Sequence, residues 1–109
     1  MKIKDTYKGL DGTAVWNEIV RYVGSGKDIA TLTGISFHAR FVGSCLFLKG
    51  GRPGTKRAER GEYLTAKDFI HAYDIVKDWE DINTGNVKPY IKRQQTPFIA
   101  LLVRAGIIE

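Results

Sequence analysis

Apolar residues recur at helical spacing early in the chain and then switch to a period of two. Val15, Trp16, Ile19, Val20 and Val23 fall on one broad helical stripe, with Thr13 placed to cap its start and Gly24 and Gly26 to end it. From Asp28 the pattern changes. Asp28 to Leu32 is a short β-prone run closed by Thr33-Gly34, and Ser36 to Val42 alternates, with Phe37, Ala39 and Phe41 on one face. Gly43-Ser44 is a two-residue connection with glycine first, which suits a type II′ hairpin turn, and Cys45 to Lys49 is the returning strand.

That turn fixes a register by arithmetic. Val42 faces Cys45, Phe41 faces Leu46, Arg40 faces Phe47, Ala39 faces Leu48 and His38 faces Lys49. Opposed residues share a face. The core face therefore carries Phe37, Ala39, Phe41, Leu46 and Leu48. The other face carries His38, Arg40, Val42, Cys45, Phe47 and Lys49. It is either a stacking surface or a face covered by a helix with its bases at the rim.

Residues 50–62, GGRPGTKRAERGE, hold four glycines and a proline and predict a long, irregular, mobile basic loop. A helix follows over 65–79, with Thr65 as cap, Asp68 in the first turn and Leu64 stapled to Phe69. Its buried stripe is Phe69, Ala72, Tyr73, Val76 and Trp79, with Asp74, Asp78 and Asp81 mostly on the opposite side. Asn83 to Asn86 reads as a loop. Lys88-Pro89 then predicts a short helix over 89–95, and Thr96-Pro97 starts another. Gly106 sits where a left-handed cap belongs, with Ile107 packing back on Leu102. Residues 1–12 read as a polar arm. The fold class is α+β: an N-terminal helix, a small antiparallel sheet over about 28–49, then two or three helices. The expected core joins Trp16, Phe37, Phe41, Phe69, Trp79, Phe98 and Leu101.

Composition narrows the class. The chain has 109 residues, 43% hydrophobic and 27% charged, which suits one domain without metal or disulfide staples. No run of 18 apolar residues predicts a membrane span, and the start MKIKDTYKGLDG lacks the apolar stretch of a secretion signal. A cytoplasmic protein with no membrane partner is expected. The lone Cys45 lies inside a strand and reads as a small buried hydrophobe. His38 and His71 are unconnected by any metal-ligand spacing, no phosphate-loop or nucleophile-elbow motif occurs, and the helical acids read as a solvated face. No catalytic residue, metal or cofactor is expected, and the protein is read as a non-enzyme.

Charge is what points to a partner. Seventeen basic residues against twelve acidic ones leave a net charge of +5, which favours a polyanion. The layout is basic, acidic, basic. Arg40 to Arg60 holds six bases and one acid, Asp68 to Asp81 holds five acids and one base, and Lys88 to Arg104 holds four bases and no acid. Three constellations follow. Arg40 and Lys49 flank Phe47 on the sheet, as in surfaces that stack bases and pair phosphates. Arg52, Lys56, Arg57 and Arg60 put charge among glycines that let backbone approach phosphate closely. Lys88, Lys92, Arg93, Gln94 and Gln95 combine phosphate-binding bases with the residue types that read guanine and adenine edges. The expected function is non-catalytic nucleic-acid binding, with DNA ahead of RNA, as a regulator or an accessory of a nucleoprotein machine. The alternative is a protein-interaction module such as a small inhibitor or adaptor.

Overall fold

A computed structural model of the chain describes all 109 residues, Met1 to Glu109. The class is α+β. A short turn, α1 (Asp5–Lys8), precedes α2 (Gly12–Val23). Strands β1 (Lys27–Ala30), β2 (Ser36–Val42), β3 (Cys45–Gly50) and β4 (Glu62–Leu64) form an antiparallel sheet in the order β1-β2-β3-β4, with α3 (Lys56–Glu59) between the last two. Helices α4 (Ala66–Val76), α5 (Thr84–Ile91) and α6 (Gln95–Arg104) follow. No helix is long and apolar enough to cross a membrane.

The β2–β3 hairpin has the register deduced from its turn, Val42 opposite Cys45 through His38 opposite Lys49. Gly43 has φ +62 and Ser44 does not share the positive φ, as a type II′ turn requires. Ile29, Phe37, Ala39, Leu46, Leu48 and Leu64 point inward and are buried in one cluster with residues of α2, α4 and α6. A one-residue slip would turn this set to solvent, at about 1.5–3 kcal/mol for each large side chain, so the register is strongly specified.

Phe69 stands at the centre of the core. Its ring centroid is 5.2 Å from that of Trp16, 5.2 Å from Phe98 and 6.4 Å from Tyr73. Phe37, Phe98 and Leu101 are buried as expected, whereas Phe41 and Trp79 are only partly buried at its edge. Trp79 lies beyond the end of α4, which stops at Val76, and meets Tyr90 edge-on at 5.6 Å. Val20 is likewise exposed on α2, because Val15, Trp16, Ile19 and Val23 already fill the contact stripe. Thr65 caps α4 by accepting from the Asp68 amide at 3.1 Å.

Five expectations need correction. Residues 1–12 are not a free arm: Ile3 is buried and bridges Ile108, and the Lys2 and Glu109 backbones exchange two hydrogen bonds. A two-residue pairing is too short to leave a periodicity. The cap of α2 is Asp11, not Thr13, since its carboxylate accepts from the Ala14 amide at 2.9 Å. Asp74 accepts from the Gly12 amide at 2.7 Å, so the acidic face of α4 is partly a joint to α2. A Cβ on Gly12 would lie 2.8 Å from the Ile70 carbonyl oxygen, which is why glycine stands at this crossing. Asn83 to Asn86 is a helix start rather than a loop. The Asn83 side chain accepts from the Asn86 amide at 2.9 Å, and Pro89 falls inside α5, where its missing amide removes the bond to Gly85. Burial of Val87 and Ile91, one turn apart, holds α5 in place despite that loss. Finally, residues 50–62 are not irregular throughout. Thr55 caps the turn of α3 through the Ala58 amide at 3.2 Å, and Glu62 already pairs with Leu48.

The C-terminal cap is as the sequence implies. Gly106 has φ +79, its amide bonds to the Val103 carbonyl at 3.1 Å, and the Ile107 amide bonds to that of Leu102 at 2.9 Å. This is the paired pattern of a Schellman cap, and it delivers Ile107 to the core.

Tyr73 gives the core a signature at alkaline pH. Its side chain is buried and donates to the Tyr7 carbonyl at 3.3 Å. Burial first, and the charges of Asp74 and Asp78 after it, push its hydroxyl up to about 12. The folded state thus holds this proton more tightly than the unfolded chain, whose tyrosines titrate near pH ~10. The contribution is fully present below that value and is lost as pH rises toward the folded one. Urea unfolding of Tyr73→Phe is expected to show a smaller loss of stability between pH ~9 and ~11 than the parent. Equal losses in both proteins would contradict this placement of Tyr73.

Candidate nucleic-acid interface

Opposed residues of the four strands line up in rows on the outer face. One row runs Arg40–Phe47–Tyr63, the next runs Asp28–His38–Lys49, and Val42–Cys45 closes the turn end. Successive rows along a strand are about 6.6 Å apart, two residues at roughly 3.3 Å each. His38, Arg40, Val42, Lys49 and Tyr63 are exposed, so no helix covers this face.

The middle row carries the ring contacts of this face. The Arg40 guanidinium lies over the Phe47 ring, 5.1 Å from its centroid, and the Phe47 and Tyr63 centroids are 5.1 Å apart at an interplanar angle of 53°. Phe47 is half-buried because the backbone of Gly61 lies against it. A Cβ on Gly61 would fall 2.2 Å from Cζ of that ring, and Gly61 also has φ +81. Phe47 is therefore a buttress, and Tyr63, 55% exposed, is the ring offered to solvent. In the neighbouring row the only carboxylate, Asp28, is engaged by His38 Nδ1 at 2.7 Å, which leaves Lys49 free of an acidic partner.

Tyr63 is the exposed member of this row that the sequence pattern missed. It belongs to a three-residue strand, too short to show alternation, at the end of the glycine-rich stretch. The available signal was Glu62-Tyr63-Leu64 itself, a polar, aromatic, apolar triplet ready to pair with Phe47.

The basic connection between β3 and β4 divides in two. Lys56 and Arg60, at the two ends of α3, are exposed, as is Arg52. Arg57 is half-buried, and its Nη2 donates to the Arg93 carbonyl at 3.0 Å. Burial pushes the Arg57 guanidinium below its ordinary value; Glu62 opposes that shift and Arg93 adds to it. Gln94 Nε2 donates to Glu62 Oε2 at 2.7 Å. Arg57, Glu62, Arg93 and Gln94 thus tie the connection to the turn between α5 and α6.

This network reorders the C-terminal candidates. Gln94 is only 9% exposed; its Nε2 donates to Glu62 and its Oε1 is buried, so it does not present an amide edge at the surface. Gln95 is half-buried in the first turn of α6. Arg93 is exposed but has φ +63, a left-handed backbone uncommon for arginine, and its carbonyl is held by Arg57. Lys88 is exposed on α5, and Lys92 shares a shallow depression with Asp68 and His71. The structure does not gather residues 88–95 into one reading surface.

No protein-family model, curated protein or solved structure matches this chain. The functional reading rests on the chemistry of the surface itself. No group of three or more His, Cys, Asp or Glu side chains is placed to hold a metal ion.

The contact between Gly61 and Phe47 makes the platform testable. Gly61→Ala is expected to destabilise the fold by about 1–3 kcal/mol, through overpacking and left-handed strain together. In a Phe47→Ala background the overpacking part disappears, so the same substitution is expected to cost less. Additive losses in a double-mutant cycle would show that Gly61 does not hold the Phe47 ring.

Proposed function

We propose that the protein binds single-stranded nucleic acid across the outer face of its sheet, without reaction. The observation that carries this reading is the Arg40–Phe47–Tyr63 row, a guanidinium and two rings in contact on an uncovered sheet. A base stacks on Tyr63, which Phe47 holds at a fixed tilt. Phosphates pair with Arg40 and Lys49, and Lys56 and Arg60 extend the positive field beside the sheet edge. Stacking and phosphate contact are tolerant of sequence and serve DNA and RNA strands alike. A single strand suits this face better than a duplex, because its bases are free to lie on a ring.

Binding of short thymidine strands over a salt series tests the proposal. Tyr63→Ala is expected to weaken binding by about 1–3 kcal/mol, the loss of one stacked base. Arg40→Ala and Lys49→Ala are each expected to flatten the dependence of log affinity on log salt by about 0.7. Duplex DNA of the same length is expected to bind less tightly. Strand binding unchanged in all three variants would remove the face from the mechanism. Val42 and Tyr63 are exposed apolar groups on the same face, and a protein captured there with no strand binding at low salt would establish the interaction-module reading instead.

A further inference from the structure

A second concentration of positive charge lies away from the sheet's outer face. The turn between β1 and β2, the start of the β3–β4 connection and the first turn of α6 enclose a cleft of about 430 Å³. Arg52 and Arg57 line it and no carboxylate does. None of Arg40, Phe47 and Tyr63 borders it, so it is a separate site.

The state of Arg57 shows what the cleft lacks. Its Nη2 is satisfied by the Arg93 carbonyl, but its Nε is buried with no hydrogen-bond partner. The nearby carboxylate, Glu62, is engaged by Gln94 and forms no salt bridge with Arg57. The half-buried Arg57 guanidinium therefore has no paired counter-charge, and an anion in the cleft supplies one. The other walls favour an oxygen-rich anion with an apolar body. Thr96 stands in the first turn of α6, a ten-residue helix that no side chain caps. Ile35 and Leu32 also line the cleft, the latter 53% exposed. A cavity of this size takes a small organic ligand rather than a bare ion.

We propose that this cleft binds a nucleoside phosphate, its terminal phosphate monoester held between Arg52 and Arg57 and its base against Leu32 and Ile35. The arginine forks meet the phosphate oxygens, and Thr96 supplies a hydroxyl donor to the same group. The monoester belongs either to a free mononucleotide or to the 5′ end of a strand, and the two sources are separable by experiment.

The test is calorimetric titration of the whole protein with AMP, adenosine, inorganic phosphate, and thymidine strands carrying a 5′-phosphate or a 5′-hydroxyl. AMP is expected to bind, with adenosine and inorganic phosphate each at least about tenfold weaker, since each lacks half of the contacts. Arg52→Ala is expected to weaken AMP about tenfold or more, as for a lost hydrogen bond to a charged group, and Thr96→Val several-fold. Arg21→Ala, which removes the same charge from an exposed position on α2 that does not line the cleft, is expected to leave AMP binding unchanged. Arg52 is exposed, so its variant is expected to melt like the parent, and this keeps the result interpretable where Arg57→Ala would disturb the fold. Displacement of AMP by the phosphorylated strand alone assigns the site to a strand end. AMP binding undisturbed by either strand assigns it to the free nucleotide. Absence of binding by both AMP and the phosphorylated strand at millimolar concentration, or AMP binding indifferent to Arg52→Ala, would overturn the proposal.

Discussion

Burial of Phe37, Ala39, Leu46, Leu48 and Leu64 on the inner face of the sheet is the constraint on which the rest depends. Strand side chains alternate, so fixing these five inward fixes Arg40, Phe47, Lys49 and Tyr63 outward. The helices that complete the core draw on the inner face alone. The outer face is left to its own resources, and it manages them with one cation–ring contact and one ring–ring contact in a single row. The same constraint explains Gly61. Once Tyr63 must pair with Phe47, the chain entering β4 passes directly over the Phe47 ring, and only a residue without a side chain fits there.

The second organising element is the polar junction of Arg57, Glu62, Arg93 and Gln94. It fastens a glycine-rich connection to a turn more than thirty residues later, in a region with few apolar side chains to bury. Its hydrogen bonds tie the two segments together. It holds Arg93 in a left-handed conformation and turns Arg57 away from solvent. The basic residues fall into two groups by position. Arg40, Lys49, Lys56 and Arg60 remain at the surface, while Arg52 and Arg57 line a cleft of their own.

The parts of the fold that were legible in the sequence are those with a strong local rule. A two-residue turn starting with Gly43 carried the whole β2–β3 register, and Gly106 before Ile107 carried the C-terminal cap. What escaped depends on contacts distant in sequence. Ile3 pairs with Ile108 across the length of the chain. Pro89, read as a helix start, lies mid-helix because Asn83 caps earlier and Val87 and Ile91 anchor the segment. For the site, the outward-facing Arg40, Phe47 and Lys49 followed from alternation. Tyr63 did not, since three residues show no period. The burial of Gln94 was not legible either, because a surface-type amide gives no local sign that it will bond a glutamate thirty-two residues earlier.

The most direct measurement is the set of backbone amides whose NMR resonances shift when a short thymidine strand is added. The account predicts shifts concentrated on β2, β3 and β4, around Arg40, Phe47 and Tyr63. Shifts confined to α5 and the turn after it, Lys92 to Gln94, with the sheet unaffected, would contradict it.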